Sequence, residues 1–194
     1  MGVSKQLRNK RAKPLLADAA QRHASNEQLL YAVALIAILQ NENPAAEAML
    51  RRVIELNPRN VPALNNLALV ASEIPAQREE ALRLIDQALV VAGPNAGLLD
   101  TKGTILVYSG RSAQAVTLLE SAIQGKDVDP RHHFHLALAY HDTGRAEEAK
   151  TQMQLALDRE LMAQVLTATD RKLLANLLDA LQLSKPVSTT AVLR

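Results

Sequence analysis

HFHLALAYHDTGRAEEAKTQMQLAL, residues 133–157, reads as two helical periods separated by a turn. Leu136, Ala137 and Tyr140 fall at helical spacing before Gly144, and Ala149, Met153 and Ala156 do so after it. The same small residues recur upstream at one constant interval: Gly103 with Ala137, Gly110 with Gly144, Ala115 with Ala149, and Ala122 with Ala156. A fixed period of this length marks a stack of helix-turn-helix units, each of which buries its apolar face against its neighbours.

Three further stretches take the same register. LDTKGTILVYSGRSAQAVTLLESAI places Leu99, Gly103, Leu106, Gly110, Ala115, Leu119 and Ala122 on it, with Lys102 in a slot that is ordinarily apolar. LNNLALVASEIPAQREEALRLIDQAL contributes Leu64, Leu67, Ala68, Ala71, Ala81, Ile85 and Ala88, with one extra residue in its turn. LYAVALIAILQNENPAAEAMLRRVIELNP contributes Leu30, Val33, Ala34, Ala37, Ala46, Leu50, Val53 and Pro58. Small residues are needed where the two helices of a pair cross closely, with larger ones filling the space around them. Pro58, Pro94 and Pro130 fall at the junctions between units. On these residues the chain resembles the tetratricopeptide repeat family, with His133 where Trp is usual.

The expected fold is all-α: a right-handed superhelical solenoid of about four helix-turn-helix units, at 27–60, 61–95, 96–129 and 130–159. A C-terminal capping helix is expected within 160–183, where TATDRKLLANLLDALQ has Thr167 or Thr169 as N-cap and Leu173, Leu174, Leu177, Leu178 and Leu181 on one stripe. Residues 184–194 lack periodicity and read as a flexible tail. Residues 1–26 read as a basic arm followed by a short helix, an incomplete earlier repeat.

Composition excludes several classes of function. There is no cysteine, so disulfides and thiolate metal sites are ruled out. The longest apolar run, Leu29 to Leu39, is too short to span a bilayer. A long segment carrying six basic groups precedes that run, unlike a secretory leader, and a cytoplasmic location is expected. Four of the five histidines lie between His132 and His141, but they do not converge. On an ideal helix His135 and His141 are about 120° apart, and Asp142 is the only close carboxylate, so no metal site is assigned. The chain shows no GxSxG, P-loop, GxGxxG or HExxH pattern. Glu79–Glu80 and Glu147–Glu148 suit helix N-termini. The expectation is a non-catalytic protein without a cofactor.

What the resemblance implies is a concave groove lined by the first helix, helix A, of each pair. The family's groove positions here include Tyr31, Leu35, Ile38, Asn65, Asn66, Leu69, Thr104, Tyr108, Arg131, Phe134, His135, Leu138 and His141. Three of the four aromatic residues, Tyr31, Tyr108 and Phe134, fall on this set. Either they anchor a partner or they pack against neighbouring repeats and the terminal helices. The basic clamp with which some family members grip an acidic C-terminal peptide is missing: its frame gives Asn65, Leu69, Thr101, Arg131 and His135. The mixture of Leu, Ile, Tyr and Phe with Asn and Arg instead suits an amphipathic helix or an extended apolar peptide of a protein partner.

Charge supplies a second reading. Residues 1–25 carry six basic groups against Asp18, a net of +5; the whole chain is +2, so the remainder sums to −3. The arm residues Lys5, Arg8, Lys10, Arg11 and Lys13 form a set that binds phosphate backbones or an anionic membrane by charge alone. Leu7 is the only apolar residue of SKQLRNKRAK apart from Ala12, and no aromatic residue is available for base stacking, which disfavours sequence-specific nucleic-acid reading.

Overall fold

The computed structural model describes Asp18 and residues 22–183. The basic arm and the segment from 184 onward lie outside the described residues. Among those residues there are nine α-helices, two short 3-10 turns and no strand. None of these helices is long and apolar enough to cross a membrane.

The helices come in pairs. They are α1 (Glu27–Leu39) with α2 (Asn43–Leu56), α3 (Val61–Ser72) with α4 (Arg78–Ala92), α5 (Ala96–Tyr108) with α6 (Ser112–Ala122), and α7 (Pro130–Asp142) with α8 (Ala146–Asp158). The last helix, α9, spans Ala168–Ala180. The described residues up to Ile74, with Glu79–Gly93, form one compact unit; Pro75–Arg78 and the residues from Pro94 onward form the second.

In the first unit α1 starts at Asn26, whose side chain accepts the Leu29 amide, and α3 starts at Asn60, which does the same for Ala63. Pro44 and Pro62 occupy first-turn positions, where a missing N–H costs nothing. The core consists of small and branched residues: Leu30, Ala34 and Ala37 from α1, Ala46, Leu50 and Val53 from α2, and Ala63, Leu67 and Val70 from α3. Ala34 and Ala46 are fully buried, as close helix crossing requires. Polar ties join successive elements. Glu27 Oε1 accepts from Asn57 Nδ2 at 2.9 Å and Asn60 Nδ2 at 2.6 Å. Arg51 bridges Glu47 at 2.8 Å and Glu80 at 2.7 Å.

In the second unit two equivalent turns follow helices A. Gly110 (φ 71°) and Gly144 (φ 77°) take the left-handed conformation, and the next amide reaches back to Leu106 O or Tyr140 O, each at 2.8 Å. Asn41 (φ 57°) does the same in the first unit, with Glu42 N bonded to Ala37 O at 2.9 Å. Gly103 is fixed for another reason. A Cβ added there would lie 2.5 Å from Leu119 Cγ, and Leu119 is fully buried.

Gly103→Ala therefore tests the repeat register. Alanine gains roughly 1 kcal/mol over glycine in a helix, but overpacking a filled core costs about 1–3 kcal/mol. A net loss of about 1 kcal/mol is expected by urea unfolding. Gly97→Ala meets only Asn95 Oδ1 at 3.7 Å, so it should leave stability unchanged or raise it.

Candidate functional site

The helix-A faces of the two units differ in what covers them. In the first unit Leu35 is 37% exposed and Leu39, one turn on, is 64% exposed. Tyr31, Ile38, Asn65, Asn66 and Leu69, at the other helix-A positions of the unit, are half-buried. Tyr31 Oη accepts a hydrogen bond from Asn66 Nδ2 at 2.9 Å. Burial raises the Tyr31 phenol above its ordinary range, against the opposing effect of that bond. Asn65 Oδ1 is buried and has no hydrogen-bond partner among the described residues. The face thus combines an exposed apolar strip with the polar Tyr31–Asn66 pair.

In the second unit the corresponding positions are closed. Thr104, Tyr108, Phe134, His135 and Leu138 are all buried, and Phe134 is not exposed at all. Arg131 is half-buried and paired with Asp129, while His141 stays exposed. Of the two readings open for the aromatic residues, Tyr108 and Phe134 follow the packed one. Eight consecutive residues, His133 to Tyr140, are buried, as in a helix enclosed on all sides. The residues after α8 supply part of this cover: α7 packs against both the 3-10 turn Leu161–Ala163 and α9.

A cluster of charged groups lies beneath α9. Asp100, Thr104 and Tyr108 follow one another at four-residue steps along one face of α5. His135 on α7 places Nδ1 at 2.9 and 3.0 Å from the two Asp100 carboxylate oxygens. Its Nε2 faces Asp170 Oδ1 at 3.4 Å, an ion-pair contact rather than a formed hydrogen bond. Tyr108 donates its hydroxyl proton to Asp170 Oδ1, and His132 Nε2 approaches Asp100 Oδ2 at 3.8 Å. The Arg78 guanidinium lies 5.9 Å from the centre of the Tyr108 ring.

Burial disfavours the charged imidazole of His135, but Asp100 and Asp170 outweigh it and hold the group protonated well above its usual range. Burial likewise opposes ionisation of Asp170, yet His135, the Tyr108 hydroxyl and the Thr167 amide lower it to about 2. The other buried histidine behaves differently. His133, in the slot where the family has Trp, has Nδ1 2.7 Å from Gln152 Oε1, and burial lowers its pKa.

Histidine and carboxylates are the components of an acid–base site, but here both imidazolium N–H groups face carboxylates in a closed interior. The arrangement is a clamp that fixes α9 to α5 and α7. Among the described residues no group of three or more His, Asp or Glu is placed to hold a metal ion. The sequence reading counts Asp100 as a helix-A groove position without pairing it with His135, and it passes over Asp170. A signal was present: the interval from Asp100 to His135 equals that from Tyr31 to Asn66. A polar pair spaced slightly wider than the repeat period thus joins one helix A to the next.

Paired helices with small residues at their crossings and glycine-based turns at a fixed period define an α-helical repeat protein. Residues 101–160 match the tetratricopeptide repeat family model, and that segment belongs to the family. A curated protein of Sinorhizobium fredii, y4yS, is 35% identical over 108 residues, a match covering 54% of this chain and 57% of that protein. Solved structures agree on the fold along most of the chain. TTC0263, a thermophilic tetratricopeptide protein of Thermus thermophilus, superposes with a TM-score of 0.69 at 21% identity, covering 93% of this chain and 94% of its own. YrrB, a tetratricopeptide protein with an unusual peptide-binding site, gives 0.56 at 18% identity, covering 86% and 84%.

Proposed function

We propose that this protein is a non-catalytic interaction module that receives an amphipathic helix of a partner protein on the helix-A face of its first unit. The observation that carries the reading is the exposed Leu35–Leu39 strip on α1, a helix that also bears Tyr31 with its bond to Asn66. An apolar centre with a polar rim is the make-up of a helix-receiving groove. The second unit supports the choice of occupant, because its own helix-A face is filled by an amphipathic helix, α9. The peptide-binding site of YrrB, on the same fold, is consistent with such a role. Tyr31, Leu35, Ile38, Asn65, Asn66 and Leu69 are the residues assigned to docking.

Photo-crosslinking in lysate of the native host tests this, with the crosslinking residue at position 35 and, as control, at position 90, where Val90 is 86% exposed on α4. One protein captured at 35 and not at 90 is expected. Purified, it should bind the Leu39→Asp chain at least about tenfold more weakly, because a charge placed among central apolar contacts removes a main anchor. Identical capture at both positions, or binding indifferent to Leu39→Asp, would show that the face is not used.

A further inference from the structure

The segment that closes the second unit describes a ligand. Asp170 divides its carboxylate between two tasks. Oδ2 accepts the Thr167 amide at 3.3 Å while Thr167 Oγ1 accepts the Asp170 amide at 3.0 Å, a reciprocal cap that starts α9. Oδ1 meets the Tyr108 hydroxyl and His135 Nε2. Leu174, Leu177 and Leu178 follow four, seven and eight positions later and are all buried, forming the stripe of one helix face.

The receiving surface complements this pattern. It presents the imidazolium and the phenol, and Thr104 Oγ1 is buried there with no hydrogen-bond partner among the described residues. Without a carboxylate over them, His135 Nε2 loses the neighbouring Asp170 charge and the Tyr108 hydroxyl loses its carboxylate acceptor, and an incoming acidic residue restores both. The connection into α9 is anchored at Leu161 and Leu166, whereas Met162 and Val165 within it are 48% and 60% exposed.

We infer that this surface is a second docking site, held shut by α9, for a partner helix of the same chemistry: a Ser or Thr cap, an acidic residue three positions on, and leucines four, seven and eight positions after the acid. A tethered occupant acts at an effective concentration of about millimolar. The partner therefore binds in proportion to the fraction of molecules in which α9 has released. The site belongs to the second unit and is independent of the Leu35 face.

The test uses a fluorescent peptide of residues 164–183, QVLTATDRKLLANLLDALQL, titrated by anisotropy against the full wild-type chain and the full Asp170→Asn chain. The variant weakens its own α9 but keeps the receiving surface, so it should bind the peptide at least about tenfold more tightly than wild type does. A peptide with Asn in place of Asp170 should lose at least about tenfold on the same chain. If Asp170→Asn melts the second unit, Leu178→Ala weakens α9 from its apolar side, and the same ordering of affinities is expected. No binding to any chain, equal affinity for wild type and variant, or equal affinity of the two peptides overturns the inference. A variant that dimerises by exchanging α9 would make a second copy the occupant and overturn the assignment to a partner. Leu35→Asp should leave peptide affinity unchanged, which separates this site from the face on the first unit.

Discussion

His135→Ala is expected to lower the stability of the second unit by about 3–5 kcal/mol, the usual cost of removing one member of a buried ion pair. The loss should be large because the substitution leaves two like charges in a closed interior, where Asp100 is 7% and Asp170 3% exposed. The pH dependence fixes the mechanism. His135 is raised from its ordinary 6.5, so its contribution is full below pH 6.5 and declines as pH rises toward its folded value of about 10. Asp170 is lowered from 3.8 to about 2, so its contribution is full above pH 3.8 and is lost as pH falls through that interval. The clamp is therefore strongest between about pH 4 and 6.5. The other charged or titratable groups at the cluster are Asp100 and Tyr108 on α5, Arg78 over the Tyr108 ring, and His132 and Arg131 on α7. Chemical denaturation across pH should show an alkaline decline in wild type that is absent in His135→Ala. An unchanged alkaline limb would mean that the decline arises elsewhere.

Phe134→Ala should cost about 3–5 kcal/mol, the range for truncating a fully buried aromatic side chain. Phe134 holds the same helix-A position in its repeat as Tyr31 does in the first, and that position alone does not reveal the difference between them. Tyr31 is half-buried and bonded through its hydroxyl to Asn66, whereas Phe134 is completely enclosed. Loss of a partner after Phe134→Ala would thus report unfolding rather than a lost contact. Leu35→Ala, on the open face, should change stability by about 0.5 kcal/mol or less. Thermal melts followed by circular dichroism separate the two: a large shift for Phe134→Ala beside none for Leu35→Ala is expected, and equal shifts would mean that Leu35 is also a core residue.

The fold was legible because repetition makes small residues conspicuous. Gly110 and Gly144 mark matching turns, and Gly103 stands where a methyl group has no room. The chemistry of helix-A faces was legible only in part. Residue type and register identify Tyr108, His135 and Leu138 as face residues, but exposure depends on a segment outside the repeats folding over them. The leucine stripe of α9 announces that the helix buries one side. It does not say which surface receives it, and Asp170 looks like an ordinary capping residue. Its second task becomes apparent only when His135, itself bonded to Asp100 on the preceding helix A, is seen at the same place.

The chain has three tyrosines and no tryptophan, and each phenol has its own hydrogen-bond partner: Tyr31 with Asn66, Tyr108 with Asp170, and Tyr140 with Glu120. Intrinsic emission therefore comes from tyrosine alone, with no indole to collect the excitation. A phenol that donates to a carboxylate loses emission to that acceptor, whereas one bonded to an amide is less affected. Release of α9 frees Tyr108 from Asp170 and should brighten the protein without any attached dye. The molecule carries its own optical gauge of whether its second unit is open.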